Sequence, residues 1–239
     1  EMHGPDIPLG CDTFIDWSIS LLLDKEWKCL ALPPVYYTFP GASGPWPGTV
    51  DISVQATQHY VTDIIMALLK NGFKRVVLCG SHGPLTSLLE GVVRDIFQRT
   101  GQVIIHLRPY YKIVGLLKEA GLESGEDAVV LGALKILGLE AAYNPRSKVE
   151  RPMEFPFKTI GQLRKYNVSI PWTFARDYQH TGLSKTLNSA KAEKIAEVLK
   201  KAAKQLKEIP RLYSQYQKQM KQLYQQKPWD KTNIWTKTK

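Results

Sequence analysis

The chain has 239 residues, 44% of them hydrophobic and 10% aromatic, and a formal net charge of +10 at pH 7. This length and apolar content suffice for one large domain with a sizeable core, or for one domain with an appendage. No uncharged apolar run reaches the ~18 residues of a membrane-spanning helix, so no transmembrane helix is indicated. The three cysteines show no C-x-x-C spacing, so we expect reduced thiols and a cytoplasmic protein.

The positive charge is concentrated at the C-terminal end. Residues 185–239 hold 14 Lys and Arg against 4 Asp and Glu, whereas residues 1–184 hold 18 of each sign. Any argument for binding nucleic acid or an anionic surface therefore depends on this basic tail alone.

The first part of the chain predicts a helix, a strand and a long loop. Residues 13–27 have helical character, and the apolar run at 29–37 predicts a strand that its two prolines end. Residues 38–50 are rich in Gly and Pro, which excludes regular structure there. Long loops within compact domains are often functional.

Strands and helices then alternate, which predicts an α/β fold with a parallel sheet flanked by helices. In such sheets, sites form at the carboxyl ends of the strands, where His82 lies. The predicted strands are 75–80 and 102–110, and the predicted helices are 56–70, 81–101, 112–120 and 126–137.

Residues 144–188 are irregular, and apolar spacing predicts an amphipathic helix over 189–209. After Pro210 the sequence is polar, basic and rich in Gln and Tyr. We therefore expect one α/β domain over 1–209 and a basic C-terminal extension over 210–239. We expect the extension to form a solvated helix packed on a neighbouring subunit; nucleic-acid binding through Lys and aromatic residues is the less favoured alternative.

The opening stretch EMHGPDIPLGCD brings Glu1, His3 and Asp12 close together in sequence. Carboxylates and imidazoles are ligands for Zn²⁺, Mn²⁺ or Fe²⁺. The same residues can also serve as loop contacts and helix caps, and the spacing alone favours that reading. His82, between Gly80 and Gly83, strengthens the metal interpretation.

Three motifs in order resemble the creatininase (creatinine amidohydrolase) family. They are E-x-H-G-P-x-x-P-L-G-x-D at 1–12, P-G-T-V at 47–50 and G-F-K-R-V-V-L-C-G-S-H-G at 72–83, and the resemblance extends to about residue 205. It implies a three-layer α/β sandwich with a mostly parallel sheet. Because the family has a buried strand before Glu-x-His, we expect the full protein to extend before Glu1.

The resemblance also implies a dinuclear site with two divalent ions (Zn, Mn or Fe). Glu1, His3, Asp12 and His82 match family ligands, with Asp12 at the bridging position, and Glu126 aligns with the last ligand. Glu126 can alternatively serve only as an acidic residue in the first turn of a helix. The implied reaction is hydrolysis of a C–N bond in an amide, cyclic amide or formamide of a small molecule, by a metal-bound hydroxide.

The sequence departs from the family pattern at residues that would contact the substrate or transfer a proton. Gly121 stands where the family has a proton-transferring His, Asp6 replaces another family His, and Pro84 follows the His82 motif. We therefore do not expect creatinine as the substrate. Glu123 and Asp6 are the candidate acid/base residues, with Asp127 as a further alternative. The loss at Gly121 also supports an alternative, a non-hydrolytic ligand-binding or assembly protein on the same fold.

The remaining candidates belong to the pocket and the assembly. Trp46, Thr49 and His180 are candidate substrate-binding residues, because pockets are often lined by aromatic residues and shaped by loops. Trp46 can equally serve only to pack its loop. The resemblance implies a homo-oligomer, with a hexamer as one possibility, acting on a small molecule; we expect neither a nucleic-acid nor a membrane partner.

Overall fold

The computed structural model describes residues 1–4, 7–143, 155–173 and 188–226. Within them, helices and strands alternate up to α5, and helices follow. The helices are α1 Cys11–Trp27, α2 Val54–Lys70, α3 Leu85–Thr100, α4 Tyr110–Glu119, α5 Glu126–Leu137, α6 Lys158–Arg164, α7 Ser189–Gln205 and α8 Ile209–Gln226. The strands are β1 Val77–Cys79 and β2 Ile105–Leu107, and short 3₁₀ turns occupy Gly41–Ser43 and Glu140–Ala142.

The two strands form a parallel pair, with Val77 opposite Ile105 and Cys79 opposite Leu107. In the described part of the chain the sheet has these two strands. They join through α3, as a parallel connection requires. The predicted parallel arrangement is therefore confirmed, although the strands are shorter than their apolar runs.

Helices cover both faces of this sheet, which confirms the predicted layered α/β fold. On one face, Leu78 packs in a core that α2 and α3 complete through residues such as Ile65 and Ile96. On the other face, Cys79 and Leu107 pack against a larger core. Helices α1, α4, α5 and α7 build that second core.

α5 and α7 approach each other closely at Gly132. A Cβ atom at this position would lie 2.5 Å from Cγ2 of Ile195, so only glycine fits without a shift. α7 presents small residues to the contact, including buried Ala192, Ala196 and Ala203. These lie at the apolar positions that predicted an amphipathic helix, which is confirmed.

The strand predicted for 29–37 is wrong. Residues 29–40 form no helix or strand. Pro33 and Pro34 cannot donate backbone hydrogen bonds to a sheet. Leu30 is 76% exposed and Tyr36 63% exposed, so the apolar side chains of this segment are not in a buried sheet.

α8 begins at the predicted domain boundary and contacts the main domain of the same chain. The hydroxyl of Tyr213 donates to the carbonyl of Val103 at 2.6 Å, and it also lies 3.2 Å from the carbonyl and 3.3 Å from the amide of Val76. Tyr213 is 4% exposed. The start of the basic tail is thus packed on its own chain, and not, at this residue, on a neighbouring subunit.

Across the described ranges, none of the helices combines the length and the apolar character needed to cross a lipid bilayer.

Candidate metal centre

Four separate parts of the chain supply the predicted ligands. Glu1 and His3 lie in the N-terminal segment, Asp12 in the first turn of α1, His82 in the loop after β1, and Glu126 at the first position of α5. The structure brings all of them together into two groups. Two further candidate site residues, Asp6 and His180, lie outside the described residues.

Asp12 belongs to both groups. One group contains Glu1, Asp12 and His82, and the other contains His3, Cys11, Asp12 and Glu126. Within each group, one potential ligand atom per residue lies within 4.8 Å of the others. A carboxylate common to two ligand groups is the arrangement that a bridged pair of ions requires.

The two histidines face carboxylate oxygens at contact distance. Nδ1 of His82 lies 2.7 Å from Oδ2 of Asp12 and 3.1 Å from Oε2 of Glu1. Nδ1 of His3 lies 3.0 Å from Oε2 of Glu126, and its Nε2 lies 3.5 Å from Oδ2 of Asp12. The residues predicted as ligands therefore form one continuous polar cluster.

The cluster is mostly buried, and its charges shift each other's pKa values. His3 is 2% exposed. Burial alone lowers the pKa of His3, but the negative charges of Asp12 and Glu126 more than offset this and raise it well above its usual value. Burial raises the pKa of Asp12, and the positive charges and hydrogen bonds of His3 and His82 reverse this, so that the net pKa is lowered.

Cys11 lies in the second ligand group but was not predicted as a ligand. Burial raises the pKa of its thiol far above the usual range, and the Glu126 carboxylate adds to the effect. A thiol binds metals as a thiolate, a form that a bound ion itself favours. Cys11 is therefore a further ligand candidate in the second group.

The Gly/Pro-rich loop holds the N-terminal segment in place. The buried hydroxyl of Ser43 donates to Oε1 of Glu1. The Met2 amide donates to Oγ1 of Thr49 at 3.0 Å. Thr49, a candidate substrate-binding residue, thus contacts the backbone between two predicted ligands. Ser43 carries no local sequence signal that would have identified it.

Two other candidate residues, Glu123 and Trp46, make contacts outside the ligand groups. Glu123 forms an ion pair with Lys191 of α7, with 2.7 Å between Oε1 and Nζ. Trp46 is half-buried in its loop. Its carbonyl accepts a hydrogen bond from the Thr49 amide.

A cleft of about 790 Å³ lies beside the cluster. Its lining comes mainly from α1, α2, β1 and residues 27–38, with further residues from α3 and α8, but not from β2. Since α1 and α2 cover opposite faces of the sheet, the cleft lies at the edge of β1, between the two helical layers. Glu1, Asp12, Asp16 and His82 line this cleft, whereas Trp46 and Thr49 do not.

The donor set fits divalent ions. Three carboxylates are gathered in a largely buried place, which requires compensating positive charge. Carboxylate oxygens with imidazole nitrogens suit Zn²⁺, Mn²⁺ or Fe²⁺. Moreover, Nε2 of His82 is buried and makes no hydrogen bond within the described part of the chain.

Fold and site together thus define the class of protein. It is an α/β sandwich with two potential metal-ligand groups near the end of a strand. The family model for creatininase (creatinine amidohydrolase) matches residues 1–209. The chain belongs to the creatininase family.

The chain is also similar to individual proteins, in sequence to one and in fold to others. The chain is 30% identical over 116 residues to 3-dehydro-scyllo-inosose hydrolase of Thermotoga maritima, a match over 47% of this chain and 37% of that protein. A protein assigned as a creatinine amidohydrolase from Bacteroides fragilis superposes with a TM-score of 0.60, at 16% identity over 86% of each chain. A manganese creatininase gives a TM-score of 0.57 at 18% identity, over 87% of this chain and 86% of its own.

Proposed function

We propose that this protein is a metal-dependent hydrolase that acts on a carbonyl carbon of a small molecule, with a C–N bond of an amide, cyclic amide or formamide as the bond broken. The observation that carries the proposal is the presence of Asp12 in both ligand groups. Glu1, Asp12 and His82 would hold one divalent ion, and His3, Asp12 and Glu126 the other.

Two ions bound in this way supply an activated water molecule and polarise the substrate carbonyl. The chain's own residues orient the groups around them. Ser43 fixes the carboxylate of Glu1, and Thr49 fixes the backbone between Glu1 and His3. This holds the N-terminal ligands against α1 and leaves the cleft as the approach for the substrate.

Proton transfer needs a group other than the family histidine. Gly121 follows α4 and its C-cap Ala120 with a positive φ of 64°, a conformation that glycine adopts readily. We propose Glu123 as an acid/base residue, together with Asp6, which the sequence alone indicates. Lys191 holds the Glu123 carboxylate in one orientation through the ion pair.

Creatinine is not the expected substrate, because Asp6, Gly121 and Pro84 replace family residues. The Thermotoga maritima relative is a hydrolase named for an inosose and not for an amide. The substrate panel should therefore include amides, cyclic amides, formamides and lactones, with creatinine as the negative control.

Metal content tests the proposal first. Protein purified without chelator is analysed for elements and then titrated with Mn²⁺ and Zn²⁺. We expect two ions per chain and turnover of a carbonyl compound that chelator removes and added metal restores. No uptake of either metal would overturn the proposal.

The loss at Gly121 supports one alternative, a non-hydrolytic ligand-binding or assembly protein on this fold. It predicts tight binding of a compound from the panel without turnover. Isothermal titration and product analysis on the same compounds separate the two functions.

We further propose that the protein is a homo-oligomer. Leu30, Tyr36 and Tyr37 expose 76%, 63% and 63% of their surface within one short segment. Apolar residues clustered on a surface often mark an interface. Sedimentation velocity tests this, and a monomer at micromolar concentration would contradict it.

A further inference from the structure

Asp16 lies one helical turn after Asp12 on α1, so both side chains project from the same face. Its Oδ2 accepts a hydrogen bond from the Ser81 amide at 2.8 Å. Its Oδ1 is buried and makes no hydrogen bond within the described ranges. A carboxylate kept in this state is costly, so its placement calls for a reason beyond packing.

The Ser81 amide immediately precedes His82, and the other contacts of this loop lead to different elements. The Gly80 amide donates to the Leu107 carbonyl at 3.1 Å, and Nε2 of His106 lies 2.8 Å from the Gly80 carbonyl. These contacts tie the start of the loop to β2. The Ser81 hydroxyl accepts from the first amide of α4 at 3.2 Å.

Asp16 supplies a contact from the loop to α1, the helix that carries Asp12. The Asp12–His82 separation of 2.7 Å is therefore set by a short path, from Asp12 along one helical turn to Asp16, then through Ser81 to His82. Removing the Asp16 side chain would break this path at the Ser81 amide.

We propose that Asp16 is a positioning residue of the metal centre, which holds His82 against Asp12 through the Ser81 amide. This inference rests on the proposed function. It predicts an effect mainly on the ion held by Glu1, Asp12 and His82. None of the residues that would hold the other ion lies in the Ser81 loop, so that ion would change only through the shared Asp12.

Calorimetric titration of the full chain with Mn²⁺ measures both binding constants. Asp16→Ala should weaken one of the two ions by about 10- to 100-fold, the usual effect of removing a residue that orients a ligand. Asp16→Asn keeps an oxygen for the Ser81 amide and should restore most of that loss. Asp63→Ala, an exposed carboxylate on α2, is the matched control and should bind both ions as the wild type does.

A double-mutant cycle with His82→Ala separates positioning from general destabilisation. If Asp16 acts through His82, Asp16→Ala should weaken binding no further in the His82→Ala background. Additive losses would overturn the inference, as would wild-type binding of both ions by Asp16→Ala or equal weakening of both ions in that variant. A wild-type protein that binds no ion would instead refute the proposed function, and this inference with it.

Discussion

Oδ2 of Asp12 lies 2.7 Å from Nδ1 of His82, and this contact joins the first turn of α1 to the loop that follows β1. The same oxygen lies 3.5 Å from Nε2 of His3. One carboxylate thereby connects both ligand groups.

Asp12→Ala should abolish the binding of both ions and reduce turnover to background. A variant in either histidine should affect mainly its own ion, since each histidine belongs to one group. Elemental analysis after dialysis against Zn²⁺ checks the loss, and Asp63→Ala on the surface of α2 is the control. Two ions retained by Asp12→Ala would contradict a bridging role.

Metal binding should release protons at neutral pH. The carboxylates raise the pKa of His3 and His82 despite their burial, so both imidazoles are protonated in the metal-free protein at pH values where a free histidine is neutral. Ligation needs neutral imidazole, so affinity should rise with pH by up to about tenfold per pH unit for each released proton. Calorimetry in buffers with different ionisation enthalpies counts the protons; a count of zero would contradict this.

Asp16→Asn should stabilise the metal-free protein at pH 8 and change its stability little at pH 4. Burial raises the pKa of Asp16 to about 7, an effect that the Ser81 amide partly opposes and the charge of Asp12 reinforces. A pKa raised above its unfolded value makes the protonated form favour the fold, so stability falls as pH increases from about 4 to about 7.

Asn removes this cost, which we expect to be on the order of 4 kcal/mol at pH 8. Urea unfolding in the presence of chelator, at both pH values, measures the difference. An equal effect at pH 4 and pH 8 would show that ionisation of Asp16 is not its cause.

Gly132→Ala should destabilise the fold by about 1–3 kcal/mol, because the added methyl group would overlap Ile195 in the α5–α7 contact. Gly115→Ala on α4 is the matched control, since nothing lies within 4 Å of a Cβ placed there. In a helix interior that change should stabilise by roughly 0.5–1 kcal/mol. Thermal unfolding distinguishes the two, and similar shifts in the same direction would contradict the close approach.

Tyr213→Phe should cost about 1–2 kcal/mol, because the Val103 carbonyl would lose the closer of its two donors and the Val76 amide would lose the hydroxyl that accepts from it. Tyr216→Phe, at a half-exposed position of the same helix, should cost nothing measurable. Thermal unfolding of both variants tests whether α8 is part of the folded domain. Equal melting temperatures would show that the contact contributes no stability.

Local patterns predicted most of the helices and the parallel strand pair. The alternation of strand and helix placed His82 at a strand end, and the N-terminal motif kept Glu1, His3 and Asp12 within a few residues of each other. Such features depend on neighbours in the chain. The ligand roles themselves came from the family resemblance and stay a prediction.

Contacts between distant residues were beyond sequence reasoning. Glu123 meets Lys191 across 68 positions, and Ser43 meets Glu1 across 42. Asp16 is a different case, because it lies on the predicted helix 13–27 while Asp12 precedes it, and only the observed helix start at Cys11 places the two on one face. The strand predicted for 29–37 failed because apolar character alone does not show which residues are buried.

The shared carboxylate also governs how the two ions would affect each other. An ion at either group changes the charge and orientation of Asp12, and the other group then binds with an altered affinity. By thermodynamic reciprocity the influence is equal in both directions. A titration with metal should therefore require two unequal, coupled binding constants. In a cell, a shortage of the ion at one group would also change the occupancy of the other group.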